Sequence, residues 1–207
     1  MLTTTRIKIT ASAALAALAL FLATPAVAEN VMLESGGGQY RVKTSNMMDY
    51  RFREVIRQQR DYSCGSATLA SLLTYHYNHP VSETEVLESM YAVGDKKKIR
   101  KEGFSLLDMK RYLASIGLRA EGYKVSLDQL EKVAIPAIAL INYKGYLHFV
   151  LVRGLDEKQV LVADPAMGMK VIPRKSFEAM WNGIFFVVLN NKEVGKKHFN
   201  LAKHWGN

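Results

Sequence analysis

Residues 58–67 carry the sequence QQRDYSCGSA, and their Cys64 is the single cysteine of the chain. Apolar residues recur at helical spacing after it: Leu69, Leu72, Leu73 and Tyr77. This periodicity, which stops before Pro80, predicts a helix that begins at or near Cys64. A sulfur at a helix N-terminus faces the positive end of the helix dipole and unpaired backbone amides, and both favour the thiolate. The stretch predicts an activated nucleophile, although a free cysteine is more usually a small buried hydrophobic residue.

The first 28 residues have the three-part pattern of a secretory signal peptide. Basic Arg6 and Lys8 precede an apolar stretch over residues 11–23, and the Ala-Val-Ala of residues 26–28 matches a cleavage site. The apolar stretch falls short of the ~20 residues that a membrane-spanning helix needs. We therefore expect a cleaved signal, no stable membrane anchor, and a periplasmic location. An exported protein usually uses its cysteines in disulfides, which a lone cysteine cannot form internally.

Four segments follow from the composition. Residues 1–28 are the signal peptide, 29–50 a flexible lead-in, 51–190 a single domain, and 191–207 a basic tail. The formal net charge is +9, and the densest basic run is KKKIRK at residues 96–101. Such a run is typical of a solvated loop, which we predict here, while attraction to an acidic partner or a lipid surface is the alternative. We find no nucleic-acid motif.

The predicted fold class is α+β. Capping-box patterns at residues 82–85, 105–108 and 126–129 predict three more helices in a helical first half. Short β-rich runs follow at residues 137–141, 147–153, 159–163, 169–172 and 184–189, with one helix at 176–181. The connections between these runs are too short for parallel crossovers, so the sheet should be mainly antiparallel.

A cysteine nucleophile needs a base near neutral pH, and imidazole is the suitable side chain. His148 opens a predicted strand in Leu147-His148-Phe149-Val150, from which it can meet a cysteine on the first helix across a cleft. The other histidines are His76, His79, His198 and His204. The first two share one helix end, but no further ligand pattern supports a metal there. The last two lie in the predicted tail, so His148 is the candidate base.

Two further side chains complete the predicted site. Asp164 ends the strand after that of His148, and in a hairpin its carboxylate would accept the second imidazole N–H and hold the tautomer. An aspartate before Pro165 is also a common turn residue. Gln58, six residues before Cys64, can offer its amide NH₂ to the oxyanion formed on the attacked carbonyl, beside the Cys64 backbone N–H. Asp61 is a weaker candidate for shaping the cleft.

These motifs resemble the C39 peptidases, papain-like cysteine peptidases best known as leader-cutting domains of bacteriocin exporters. The matching features are Gln58 before Cys64-Gly65, the small residues Ser66-Ala67, His148 at a strand start, and Asp164-Pro165 with Gly168 following. They cover about residues 55–190. The resemblance implies a papain-like fold, with Cys64, His148, Asp164 and Gln58 as catalytic residues and no cofactor or metal.

The chain departs from the exporter domains because it has a signal and stands alone. It more closely resembles stand-alone envelope members, some of which accompany secretion systems for functional-amyloid fibres, and this puts a Gly-Gly preference in doubt. The predicted function is therefore an endopeptidase that acts on an exported protein or peptide, such as an amyloid fibre subunit, beside secretion machinery. A non-catalytic C39-like module that binds substrate for such machinery, and a hydrolase of cell-wall peptides, are the alternatives.

Overall fold

The computed structural model describes residues 31–35, 38–42 and 47–205. The predicted signal peptide, residues 1–28, lies outside the described residues. No helix among those described is both long and apolar enough to cross a lipid bilayer. The described residues fall into two units, divided between Thr44 and Ser45.

The first unit contains a two-stranded antiparallel ribbon. Strand β1 (Val31–Ser35) pairs with β2 (Gly38–Val42) in a register that sets Val31 opposite Val42. The ribbon lies within the segment predicted as a lead-in, residues 29–50. That segment also includes the start of helix α1 (Met47–Arg51), which belongs to the second unit.

The second unit is built on a six-stranded antiparallel sheet with the strand order β3-β8-β4-β5-β6-β7. The strands are β3 (Ala120–Lys124), β4 (Ala137–Tyr143), β5 (Tyr146–Leu155), β6 (Gln159–Asp164), β7 (Gly168–Pro173) and β8 (Trp181–Val188). Five of them match the predicted β-rich runs. All the pairings are antiparallel, which confirms the predicted α+β class.

Helices cover both faces of this sheet. They are α2 (Cys64–His76), α3 (Glu83–Val93), α4 (Lys96–Glu102), α5 (Leu106–Ser115), α6 (Leu127–Val133), α7 (Arg174–Met180) and α8 (Lys192–Lys197). Alternate residues of a strand point to opposite faces. Phe149 and Leu151 of β5 therefore pack in the core with α2, α3 and α5, whereas Val150 and Val152 pack in the core with α6 and α7.

The capping signals place the helix starts correctly because they act locally. Ser82, Ser105 and Ser126 each accept a hydrogen bond from the backbone N–H three residues later. At Ser105 and Ser126 the reciprocal bond of a capping box is also present. These bonds satisfy amides at each helix start, so the predicted starts of α3, α5 and α6 are confirmed.

The basic run at residues 96–101 is not a loop, so that prediction was wrong. It forms α4, whose first turn is capped by the Asp95 carboxylate, an acceptor for the N–H groups of Lys97 and Lys98. Ile99 is only 2% exposed and anchors the helix to the core. Lysine, arginine and glutamate are good helix formers, and one buried apolar residue with a cap is enough to order them here.

The first half of the domain is also less purely helical than predicted, because it contains β3. This strand pairs with β8, setting Ala120 opposite Val188 and Lys124 opposite Ile184. An edge strand of five residues with Gly122 at its centre has a weak local signal. Its hydrogen-bonding partner lies some sixty residues later, which no local pattern reveals.

Residues 191–205, the described part of the predicted basic tail, fold onto the domain. They contain α8 and a short 3₁₀ helix, Ala202–His204. Phe199 is 7% exposed. Asn200 bonds to the end of β5: its backbone N–H donates to the Arg153 carbonyl, and its side-chain NH₂ donates to the Leu155 carbonyl. The prediction of a tail did not include these contacts with the domain.

Candidate active site

Cys64 is the first residue of α2 and is 6% exposed. The residue before it, Ser63, makes no side-chain hydrogen bond to the described amides of the first turn. Its hydroxyl instead donates to the Arg60 carbonyl and accepts from the Arg60 N–H, at 2.9 and 3.1 Å. The Cys64 sulfur therefore lies at a helix start without a side-chain cap, where the helix dipole favours negative charge.

Gly65 lets this helix start approach the sheet. A Cβ atom built on it would stand 2.9 Å from Met109 Cε, 3.2 Å from Phe104 Cβ and 3.5 Å from a ring atom of Phe149. One turn later, the Thr68 hydroxyl donates to the Phe149 carbonyl at 3.1 Å. The first turn of α2 is thus fixed against the residue that follows His148.

His148 and Asp164 form a buried hydrogen-bonded pair. The β5-β6 hairpin sets Leu151 opposite Ala163, which brings the end of β6 to the start of β5 as predicted. His148 Nε2 lies 2.9 Å from Asp164 Oδ1, and the two residues are 6% and 5% exposed. An ionised carboxylate only accepts hydrogen bonds, so Nε2 carries the proton and Nδ1 is the nitrogen left for Cys64.

Asp164 is held as a carboxylate by several donors. Oδ1 also accepts from the backbone N–H groups of Ala166 and Met167, at 2.9 and 3.2 Å, and Oδ2 accepts from Lys170 Nζ at 3.3 Å. Burial alone would raise its pKa, but the hydrogen bond and charge of His148, together with these neighbours, lower it. The turn role and the pairing with His148 therefore coexist in one side chain.

The same environment keeps the imidazole protonated over a wide pH range. Burial alone would lower the pKa of His148, but the Asp164 hydrogen bond, the interaction with the Cys64 sulfur and their charges raise it to about 9. His148 Nδ1 is buried and has no hydrogen-bond partner among the described residues that meets normal geometry. The structure therefore places Cys64 close enough to the His148–Asp164 pair to affect the pKa of His148, while the catalytic roles of the three residues stay predictions.

Gln58 connects the loop before Cys64 to the turn after Asp164. Its backbone N–H donates to the Pro165 carbonyl at 2.9 Å, and its side-chain Nε2 donates to the Arg60 carbonyl at 3.2 Å. One amide hydrogen bond leaves a second N–H available for a substrate oxygen. The fold holds Gln58 next to the turn that follows Asp164. Its role as an oxyanion donor stays a prediction.

Tyr146 is a site residue that the sequence interpretation missed. Its ring centroid lies 5.9 Å from that of His148, and its hydroxyl donates to the Asp61 carbonyl at 2.8 Å. Burial and the charges of Cys64 and Asp61 raise its pKa. The signal available in the sequence was its position two residues before His148, on the same face of β5. Asp61 contacts Tyr146 through its backbone carbonyl, and its role in shaping the cleft stays a prediction.

The remaining histidines lie away from this cluster. His76 is buried at the end of α2, where its ring meets that of His198 edge-on at 6.1 Å. His204 Nε2 lies 2.9 Å from Glu54, and His79 is exposed. Within the described ranges, no three side chains of the types that bind metal are grouped closely enough to hold an ion.

An apolar groove of about 170 Å³ adjoins the pair. His148 and Asp164 are among the residues that line it, together with Ile141, Tyr143, Tyr146, Val150, Met167 and Met180. Tyr143 and Met167 are about half exposed at the rim. A peptide bound beside the reacting groups would find a mainly hydrophobic surface there.

Comparison with known proteins agrees with this geometry. The family model described as Peptidase C39 family matches residues 53–193. The chain is similar to the probable functional amyloid protease FapD of Pseudomonas aeruginosa, with 42% identity over 154 residues that cover 74% of this chain and 68% of the relative. The protein of the same description from Pseudomonas fluorescens is 41% identical, over 83% of this chain and 77% of the relative.

Two solved structures have a similar fold. The peptidase domain of Streptococcus ComA, described as a bifunctional ABC transporter of a quorum-sensing pathway, matches with a TM-score of 0.56 at 21% identity, covering 65% of this chain and 96% of that domain. A double glycine motif protease from an AMS/PCAT transporter, in complex with the leader peptide, matches with a TM-score of 0.54 at 29% identity, covering 65% and 89%.

Proposed function

Because this chain belongs to the Peptidase C39 family and is a cysteine peptidase, we propose that it cleaves an exported protein or peptide in the bacterial envelope through a thioester on Cys64. The observation that carries the proposal is the buried His148–Asp164 hydrogen bond next to a cysteine at an uncapped helix start. The separate parts of the site are common, but together they form the arrangement that nucleophilic acyl transfer needs.

The first half of the reaction forms the thioester. The Cys64 sulfur attacks the peptide carbonyl carbon while His148 holds the proton that the thiol gave up. The tetrahedral intermediate then collapses, the C–N bond breaks, and His148 Nδ1 donates that proton to the leaving nitrogen. Asp164 keeps the imidazole in one tautomer and stabilises its positive charge through Nε2–H.

The second half releases the acid product. His148 accepts a proton from water, whose oxygen attacks the thioester carbon. The C–S bond then breaks and the carboxylic acid leaves. The Cys64 sulfur takes from His148 the proton that came from water. In both halves the negative oxygen needs donors, and we assign this role to the Cys64 backbone N–H and the free N–H of the Gln58 amide.

The proposed substrate is an exported amyloid-forming subunit, processed or cleared in the periplasm near the secretion machinery. Two observations support this class. The relatives from Pseudomonas are named functional amyloid proteases. The groove beside His148 is lined mainly by apolar side chains, which suit the hydrophobic segments of such a subunit. The signal pattern of residues 1–28 supports the location.

The test uses residues 29–207 and the Cys64→Ala variant of the same segment. Each is incubated with purified amyloid-forming subunits and with an unrelated exported protein, and the products are identified by mass spectrometry. We expect defined fragments only with the wild type and the amyloid-forming substrate. Identical product patterns from the two enzymes would contradict proteolysis, and equal cleavage of both substrates would contradict the substrate class.

A further inference from the structure

Helix α4 presents a dense basic surface. Five of its seven residues are cations, and all five are exposed: Lys96, Lys97, Lys98, Arg100 and Lys101. We call these five side chains the α4 basic surface. Charge of one sign at this density raises the local concentration of anionic groups and steers their approach.

The α4 basic surface is held in a fixed position. Ile99 is buried to 2% exposure, and Asp95 Oδ1 accepts from the N–H groups of Lys97 and Lys98 at 3.0 and 3.1 Å. At the other end, Gly103 leaves the helix with a φ of +78°, a conformation that side-chain-bearing residues rarely adopt. The backbone that carries the cations is therefore helical and anchored, unlike that of a solvated loop.

The cations of α4 are not neutralised by acidic side chains within the described part of the domain. None of the ion pairs found there involves a cation of α4. Lys96 lies over the Tyr91 ring at 5.7 Å, and Arg100 Nε donates to the Lys96 carbonyl. Glu102 is the one acidic residue of the helix, and it is exposed. A net positive surface remains for a partner.

The end of helix α4 packs close to the loop that carries Cys64. Directly after α4, a Cβ on Gly103 would lie 3.5 Å from the Tyr62 carbonyl oxygen, two residues before Cys64. The next residue, Phe104, is 3% exposed and its Cβ lies 3.2 Å from the Cβ position of Gly65. The helix thus ends where the chain packs against the loop that carries Cys64.

We infer that the α4 basic surface docks an acidic segment of the polypeptide that the peptidase cleaves. The inference rests on the proposed function and specifies its substrate. A helix of seven residues is about 10 Å long, which an extended peptide covers with about three residues. The segment is therefore a short run of Asp or Glu beside the cleaved bond. A lipid surface fits less well, since α4 ends against the loop that leads to Cys64.

The experiment measures binding without cleavage, in Cys64→Ala. The probes are two rhodamine-labelled peptides that share an apolar stretch and differ in three residues, Asp-Asp-Glu or Asn-Asn-Gln. One variant carries Lys97→Gln, Lys98→Gln, Arg100→Gln and Lys101→Gln, which keep helix propensity. The matched control replaces four exposed lysines on other elements by Gln: Lys124, Lys132, Lys158 and Lys192. Circular dichroism checks that each variant is folded.

By fluorescence anisotropy, we expect the acidic peptide to bind about tenfold more tightly than its neutral counterpart, the sum of a few exposed ion pairs. The α4 variant should lose this difference and the control should keep it, and added salt should reduce it. Loss in both variants, or no difference in the parent, would overturn the inference, as would α4-dependent binding to phosphatidylglycerol vesicles without binding of the acidic peptide. Because binding is read without Cys64, its outcome is independent of whether the wild type cleaves.

Discussion

The two sides of the active site are built in opposite ways. On the carboxylate side, Asp164 accepts hydrogen bonds from four described groups: the His148 ring, the N–H groups of Ala166 and Met167, and the Lys170 ammonium. On the sulfur side, the start of α2 has no side-chain cap and the Gln58 amide donates to a single carbonyl. The Asp164 carboxylate is hydrogen-bonded at both oxygens, whereas His148 Nδ1 and the groups proposed to meet the substrate keep unused hydrogen-bonding capacity.

This difference follows from what each side must do. A buried carboxylate that loses a donor is left with an uncompensated charge, so its partners must be in place before substrate arrives. An oxyanion donor that is already satisfied has little to offer the transition state, so its capacity must stay free. Changes to the two sides should therefore differ in both size and kind.

Removing the base should have the largest effect. We expect His148→Ala to lower kcat/KM by about 10⁴-fold or more, because the site then lacks both the proton acceptor and the proton donor. Initial rates of peptide cleavage measure this, and alkylation of Cys64 at pH 6.5 should slow as well. His79→Ala is the control, since His79 is exposed and should leave the rate unchanged. A His148→Ala rate within tenfold of the wild type would remove His148 from the mechanism.

Loss of the Asp164 charge should have the second largest effect on activity. Asp164→Asn keeps the shape of the side chain but removes its charge, and we expect a loss in kcat of about 10³-fold. The variant should also change the pH profile. Asp164 raises the pKa of His148, and the proton on His148 is needed by the leaving group.

The direction of the pH change follows from that pKa of about 9. The protonated imidazole persists below it, so wild-type activity should fall as the pH rises through about 9. Without the Asp164 charge the pKa of His148 drops, and the alkaline limb should move to lower pH. Rates from pH 5 to 10 locate the limb. An unmoved limb in Asp164→Asn would mean that another group controls it.

On the sulfur side, Gln58→Ala should lower kcat by about 10²-fold with little change in KM, as removal of one oxyanion donor does. Gln59→Ala is the matched control, because Gln59 is the exposed neighbour in the same loop. Thermal denaturation should show nearly equal stability for the two variants, since the backbone bond of Gln58 to Pro165 survives both. Equal kcat values for Gln58→Ala and Gln59→Ala would withdraw the oxyanion role.

The parts of this site that could be predicted from the sequence are those with local causes. The Cys64 helix start has an apolar helical periodicity after it, and the His148–Asp164 pair follows from two adjacent strands joined by a short connection. Serine caps likewise act within three residues. In each case the partner lies close in the sequence or on the neighbouring strand, where pattern and chain order apply, and for Asp164 the family resemblance added to them.

The parts that could not be predicted depend on distant contacts. Strand β3 forms only because β8 lies beside it, and α4 is ordered by the burial of Ile99, which the surrounding cations conceal. Contacts of Asn200 with the end of β5 tie the last segment to the domain. Tyr146 belongs to the site because its hydroxyl reaches a carbonyl 85 residues earlier in the chain.

Tyr146 lies between the two sides of the site. Removing its hydroxyl should lower activity the least of the four substitutions. Tyr146→Phe keeps the ring beside His148 and removes only the bond to the Asp61 carbonyl. A single hydrogen bond contributes about 1 kcal/mol, so kcat/KM should fall by about fivefold. The alkaline limb should stay where it is in the wild type, because the Asp164 bond that raises the pKa of His148 is intact.

Tyr123→Phe is the control for this change, since Tyr123 lies on strand β3, is exposed, and is not among the residues that line the groove. Steady-state rates of the two variants against pH separate the possible roles of Tyr146. If its hydroxyl positions the loop before Cys64, only Tyr146→Phe loses activity and only the height of its profile changes. A profile displaced like that of Asp164→Asn would show that Tyr146 acts on the imidazole, and the two sides of the site would then be electrostatically coupled through this residue.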